Sequence, residues 1–214
     1  MKALIKNFNK IFIITIILLV TFLIGTPINE SNVYPLYIAL SLYNIIFYVI
    51  KIIKKEKIEL NALDIAVIVL AFSAIISLIF KTYVSLNDTI HTILKYFSIL
   101  SIYLITSEEC KKDQGFGKVL KNTIIISILI LCVFGLDEIT LNLLGKVKNF
   151  IGFRYVMYDE VRIGSLFAYP NVMAVVAGAG IFLCLEEVIT QNSKNLKALY
   201  IVAIAVMGIT LILT

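Results

Sequence analysis

Long apolar runs alternate with short polar turns along nearly the whole chain. The hydrocarbon core of a bilayer is about 30 Å thick and a helix rises about 1.5 Å per residue, so roughly 20 mostly apolar residues make one crossing. Segments 8–26, 33–53, 61–80, 86–106, 119–144, 166–190 and 196–214 meet that requirement. Each is bounded by charged, Gly, Pro or Asn-rich stretches of the kind that end helices. The fifth has an alternative end near Leu136, which would leave Asp137 and Glu138 at the water boundary and residues 139–144 along the surface. The pattern therefore predicts an all-α, polytopic integral membrane protein with about seven transmembrane helices, forming a single transmembrane domain over residues 1–214.

Composition supports the pattern. Of 214 residues, 60% are hydrophobic and 15% charged, and the mean hydropathy of +0.99 excludes an ordinary soluble fold. Lys2, Lys6 and Lys10 precede the first apolar run as they would in a secretory signal. Gly25-Thr26-Pro27 follows it, however, in place of a small-x-small cleavage site, so the first helix is read as retained. Cys110, Cys132 and Cys184 lack metal-ligand spacing and two of them fall inside apolar runs, which predicts free thiols and no metal site.

Cytoplasmic loops retain Lys and Arg, so their distribution sets orientation. With the N-terminus inside, the inner segments hold Lys2, Lys6, Lys10, Lys51, Lys54, Lys55, Lys57, Lys111, Lys112, Lys118, Lys121, Lys194 and Lys197, most of the 19 basic residues. The net charge of +5 thus belongs to membrane topology and not to nucleic-acid binding. One outer segment breaks the rule: residues 145–165 carry Lys146, Lys148, Arg154 and Arg162, both arginines of the chain among them. Cations kept on the outside against that bias point to an anionic ligand.

Downstream of those arginines, Pro170 and Asn171 stand where the sixth helix is expected to start. Proline costs no backbone hydrogen bond there, and the free N–H groups of a helix start attract phosphate or carboxylate. Arg162 and Arg154 would add planar forks suited to a diphosphate. The plain alternative is an ordinary helix start whose arginines touch lipid phosphates.

The stretch Arg162-Ile163-Gly164-Ser165-Leu166-Phe167-Ala168-Tyr169-Pro170-Asn171, running on to Ala174 in a small-residue helix, resembles the signature of the O-antigen ligase and polymerase family, which includes teichuronic acid and capsule polymerases. The matching positions are Arg162, Gly164, Ser165, Phe167, Pro170, Asn171 and Ala174. The match is local, covering residues 162–174, and the serial short-loop helices before it are similar to the family's N-terminal half. Family members are about twice as long, and their later outer loop brings further arginines and a histidine. It implies a bacterial plasma-membrane enzyme, N-terminus cytoplasmic, that moves a glycan from a polyprenyl diphosphate to an acceptor glycan or lipid at the outer face. No cofactor, metal or nucleotide sugar is implied, and the chain is expected to be the front part of a longer fold.

The fourth helix carries an independent signal. Asp88, His91, Lys95 and Ser98 recur every three or four residues and so share one helical face. An unpaired lysine at mid-membrane costs about 2.5–3.5 kcal/mol on insertion scales, so Lys95 is expected to face protein. It could support diphosphate binding beside Arg154, Arg162 and Asn171, or snorkel and be neutralised by Asp88. His91, Asp137 and Glu138 are weak candidates for the general base, since a satisfied interfacial histidine and solvated loop carboxylates explain them equally. Ala174, Ala177, Gly178 and Gly180 form a small-residue face better suited to helix packing than to chemistry. The rival readings are a secondary transporter or flippase-like protein using Asp88, His91 and Lys95 as an ion path, and a non-catalytic truncated membrane fragment.

Overall fold

The computed structural model describes residues 7–23, 34–80, 85–140 and 170–214, and these are entirely helical apart from their connections. The helices are α1 (Phe8–Leu23), α2 (Tyr34–Ile53), α3 (Ala62–Ile79), α4 (Leu86–Lys112), α5 (Gln114–Ile139), α6 (Pro170–Thr190) and α7 (Lys194–Leu213). The protein is an all-helical, polytopic membrane protein. Among the described residues, α2, α4, α5, α6 and α7 are long and apolar enough to cross a bilayer, whereas α1 and α3 hold the shorter apolar stretches Phe8–Leu18 and Ala62–Ile76. Of the seven expected crossings, five meet the length requirement among the described residues.

The outward faces explain why such helices belong in lipid. Ile53, Val175, Phe182, Ile189 and Ile212 are all more than 70% exposed, a surface that water would penalise and acyl chains accept. Some inward positions are polar. Ser98, Ser101 and Thr210 are buried and return their hydroxyls to the carbonyls of Leu94, Phe97 and Val206, one turn back on their own helices.

Two compact units divide the chain, residues 1–13 with 28–114 and residues 14–27 with 115–214. In the first, α4 packs against both α2 and α3, and Ala71, Leu100 and Leu104 form an apolar centre edged by Tyr48, Phe97 and Tyr103. In the second, α6 lies against α7 and both meet α5. Met173, Ala177 and Cys184 on α6 and Ala203 and Met207 on α7 recur at helical spacing and face Ile125, Ile128, Leu131 and Cys132 of α5. All three cysteines are free, with Cys132 and Cys184 buried.

Helix ends depart from the sequence reading in an instructive way. Residues 107–118, expected as a turn, are helical except for Asp113, so α4 runs 27 residues and α5 begins at Gln114. At about 1.5 Å per residue α4 is roughly 40 Å long, longer than the hydrocarbon core, so its charged last turns project beyond it. The described part of α6 begins at Pro170, a residue suited to the first helical position, and the expected residues 166–169 lie outside the described residues.

Candidate functional site

The described charged groups concentrate at one end of each unit. In the first unit the end of α2, the start of α3 and the end of α4 meet. Asn61 caps α3: its side chain accepts from the Asp64 N–H at 2.8 Å, and its own N–H donates to Asp64 Oδ2 at 2.9 Å. The same Asp64 side chain, 1% exposed, accepts from Tyr103 Oη at 2.9 Å, Ser107 Oγ at 3.1 Å and Lys111 Nζ at 2.7 Å. Tyr103, Ser107 and Lys111 stand four residues apart on α4, so one helical stripe supplies three donors to one carboxylate. A buried carboxylate with that many donors remains ionised without an unsatisfied lone pair.

Beside this hub Lys51 Nζ meets Glu108 Oε2 at 2.5 Å, with both side chains under 10% exposed. Asn9 Nδ2 donates to Glu109 Oε1 at 2.9 Å while Tyr43 Oη donates to Asn9 Oδ1 at 2.5 Å, and Lys10 pairs with Asp113 at 2.5 Å. Removing one partner from a buried pair costs about 3–5 kcal/mol, so these contacts clamp α2, α3 and α4 together at this end. In the connection before α3, by contrast, Lys57 and Glu59 pair at 2.8 Å while fully open to solvent. The Lys57 hydrogen bond holds the Glu59 carboxyl below its usual range, yet water screens a pair of this kind almost completely.

The second unit has its own cluster. Lys121 Nζ on α5 bridges Glu187 at 2.5 Å and Glu186 at 2.9 Å on α6, and Tyr200 Oη on α7 donates to Asn122 Oδ1 at 3.1 Å. Among the described residues, no group of three His, Cys, Asp or Glu side chains converges as metal ligands would.

The residues singled out from sequence are dispersed. Arg154 and Arg162 lie outside the described residues, as do Lys146, Lys148, Asp159 and Glu160. Asn171 is exposed in the first turn of α6. Asp137 is half-buried near the end of α5, and the side chain of Glu138 lies outside the description. The row on α4 is split: Ser98 is buried and reaches Tyr37 O at 3.1 Å, His91 is half-buried, and Asp88 and Lys95 are exposed. Among the described residues Lys95 is thus exposed, where the sequence led to an expectation of contact with protein. The buried face of α4 includes Ser101, Leu104 and Glu108, and at 3.6 residues per turn Lys95 sits roughly two-fifths of a turn from their centre. His91 touches Tyr34 edge-on at 5.0 Å between ring centres and Tyr37 at 5.7 Å, and its buried Nε2 has no partner among the described residues.

Sequence reasoning counted the lysines of these clusters and overlooked their partners Asp64, Glu108, Glu109, Glu186 and Glu187. The signal was present: carboxylates stand at the edges of apolar runs on the same side as the lysine-rich turns. The charge rule for orientation gives acidic residues little weight, so it hides them. Comparison with family models, curated proteins and solved structures finds no match to the chain.

Proposed function

We propose that the protein is a membrane glycosyltransferase of the O-antigen ligase and polymerase type, acting on a polyprenyl-diphosphate-linked glycan at the outer face of a bacterial plasma membrane. The observation that carries the reading is the placement of the motif's Pro-Asn pair. The described part of α6 runs from Pro170 and Asn171 is exposed, so in sequence the arginine-bearing segment leads directly to this helix. That start lies at the opposite end of α6 from Glu186 and Glu187, the carboxylates that neutralise Lys121. An anion approaching the first turn therefore meets free N–H groups and the positive end of the helix dipole.

In the proposed reaction an acceptor hydroxyl oxygen bonds to the anomeric carbon as the bond from that carbon to the diphosphate oxygen breaks. Polyprenyl diphosphate departs with the electron pair. Arg154 and Arg162 stabilise its growing charge and Asn171 orients a phosphate oxygen. The hydroxyl proton passes to a base, for which Asp137 and Glu138, on the same unit, are the candidates. The carrier alternative would use Asp88, His91 and Lys95 as one path, but that row is divided between exposed and half-buried sides of α4.

The test is Arg154→Ala and Arg162→Ala, each expected to lower polymerised or ligated glycan in cells by roughly 100-fold, the usual cost of removing one transition-state donor. Immunoblots of membranes should show unchanged protein. Wild-type glycan yield from both variants, with loss only on Lys95→Ala, would displace the enzyme reading in favour of transport.

A further inference from the structure

A cleft of about 490 Å³ opens between the start of α5 and the end of α6, lined by Lys118, Lys121, Glu186, Glu187, Thr190 and Gln191 among others. Its charges are unevenly committed. Lys121 is held by both carboxylates, and Glu187 is buried with only 4% of its side chain exposed. Glu186 keeps 56% of its side chain open. Lys118, one turn before Lys121 on α5, is exposed and makes no ion pair among the described residues. The mouth of the cleft thus presents one available ammonium and one partly available carboxylate, while the lining as a whole sums to zero charge.

Such a site selects for a ligand carrying both signs close together. A simple anion would be drawn to Lys118 and repelled by Glu186, and a simple cation would meet the reverse. Location narrows the source. The cleft lies where α5 and α6, both long enough to cross a bilayer, reach their ends, so it opens at headgroup depth.

We infer that this cleft seats the headgroup of a zwitterionic phospholipid bearing a primary amine, with phosphate at Lys118 and ammonium toward Glu186, Thr190 and Gln191. The primary amine matters because its N–H groups can donate to the carboxylate and the amide oxygen, which a quaternary ammonium cannot do. The inference stands apart from the glycosyl-transfer proposal, since it concerns the other end of α6.

The experiment is native mass spectrometry of the full chain released from detergent with equimolar phosphatidylethanolamine, phosphatidylcholine and phosphatidylglycerol of matched acyl chains. The bound phosphatidylethanolamine should exceed each of the others roughly fivefold, the size of one exposed ion pair. Lys118→Gln and Glu186→Gln should each bring the three lipids toward parity, while Lys54→Gln in the other unit should change nothing. Both substituted side chains are open to solvent, and circular dichroism of each variant confirms that the helices persist. Parity in the wild type, preference for phosphatidylglycerol, or a preference untouched by either glutamine variant would overturn the assignment. Displacement by equimolar glycerophosphoethanolamine would also overturn it, marking a soluble zwitterion as the ligand.

Discussion

Lys51 and Glu108 illustrate how the value of a charge depends on its surroundings. Each is nearly inaccessible, so each has surrendered most of its hydration and depends on the 2.5 Å contact with the other. Replacing one leaves the other buried without compensation. Lys51→Met or Glu108→Leu alone is expected to destabilise the helical state by about 3–5 kcal/mol, whereas the double substitution should recover most of that loss, because an apolar pair of similar volume pays no desolvation. Thermal melts of the two single variants and the double variant in one detergent check this. Additive losses would show that the pair is not coupled. The Lys57–Glu59 pair, at 2.8 Å but exposed, should show no measurable shift in melting temperature on Glu59→Gln. Neither outcome is legible from residue type: both pairs are a lysine and a glutamate near a helix end, and only burial separates them.

At the scale of elements, α6 shows how a small-residue stripe is used unevenly. A Cβ at Gly180 would lie 2.7 Å from Met207 Sδ and 2.9 Å from Ile128 Cγ2, whereas at Gly178 it would meet nothing within 4 Å. Gly180 is thus the point where α7 and α5 approach the α6 backbone, and Gly178 faces open space. Gly180→Leu is expected to cost about 1–3 kcal/mol by overpacking, and Gly178→Ala to be neutral or to stabilise by up to about 1 kcal/mol through helix propensity. Denaturant titration followed by circular dichroism separates the two, and equal effects would refute the proposed packing. Apolar runs located each of the seven described helices. The junction at residues 107–118 went unread because Glu108, Glu109, Lys111 and Lys112 look like a polar turn, although straight-chain charged residues are good helix formers. Contacts with Lys51, Asn9 and Asp64 hold that turn-like stretch in helical form.

For the whole molecule, the lysine distribution predicts that the connections at 54–61 and 191–193 lie in the cytoplasm. In a cysteine-free background, Lys55→Cys and Asn192→Cys should react with an impermeant maleimide only after the cells are opened, and Tyr83→Cys should react in intact cells. Labelling of position 55 in intact cells would reverse the orientation. That the chain is helical, membrane-bound and polytopic was determined by its sequence alone, because in a bilayer every backbone amide must be paired within its own segment, and an apolar run of sufficient length leaves no alternative to a helix. The arginine motif before Pro170 was likewise visible as a run of letters, since its signal is local. Which carboxylate answers which lysine was decided only by tertiary structure. Asp64 and Lys111, or Lys121 and Glu187, are far apart in sequence, and helical rotation, which no residue type declares, chooses the faces that meet. The same rotation turned Lys95 outward and Ser98 inward although they stand one turn apart, because a stripe at spacings of three and four drifts around a helix of 3.6 residues per turn.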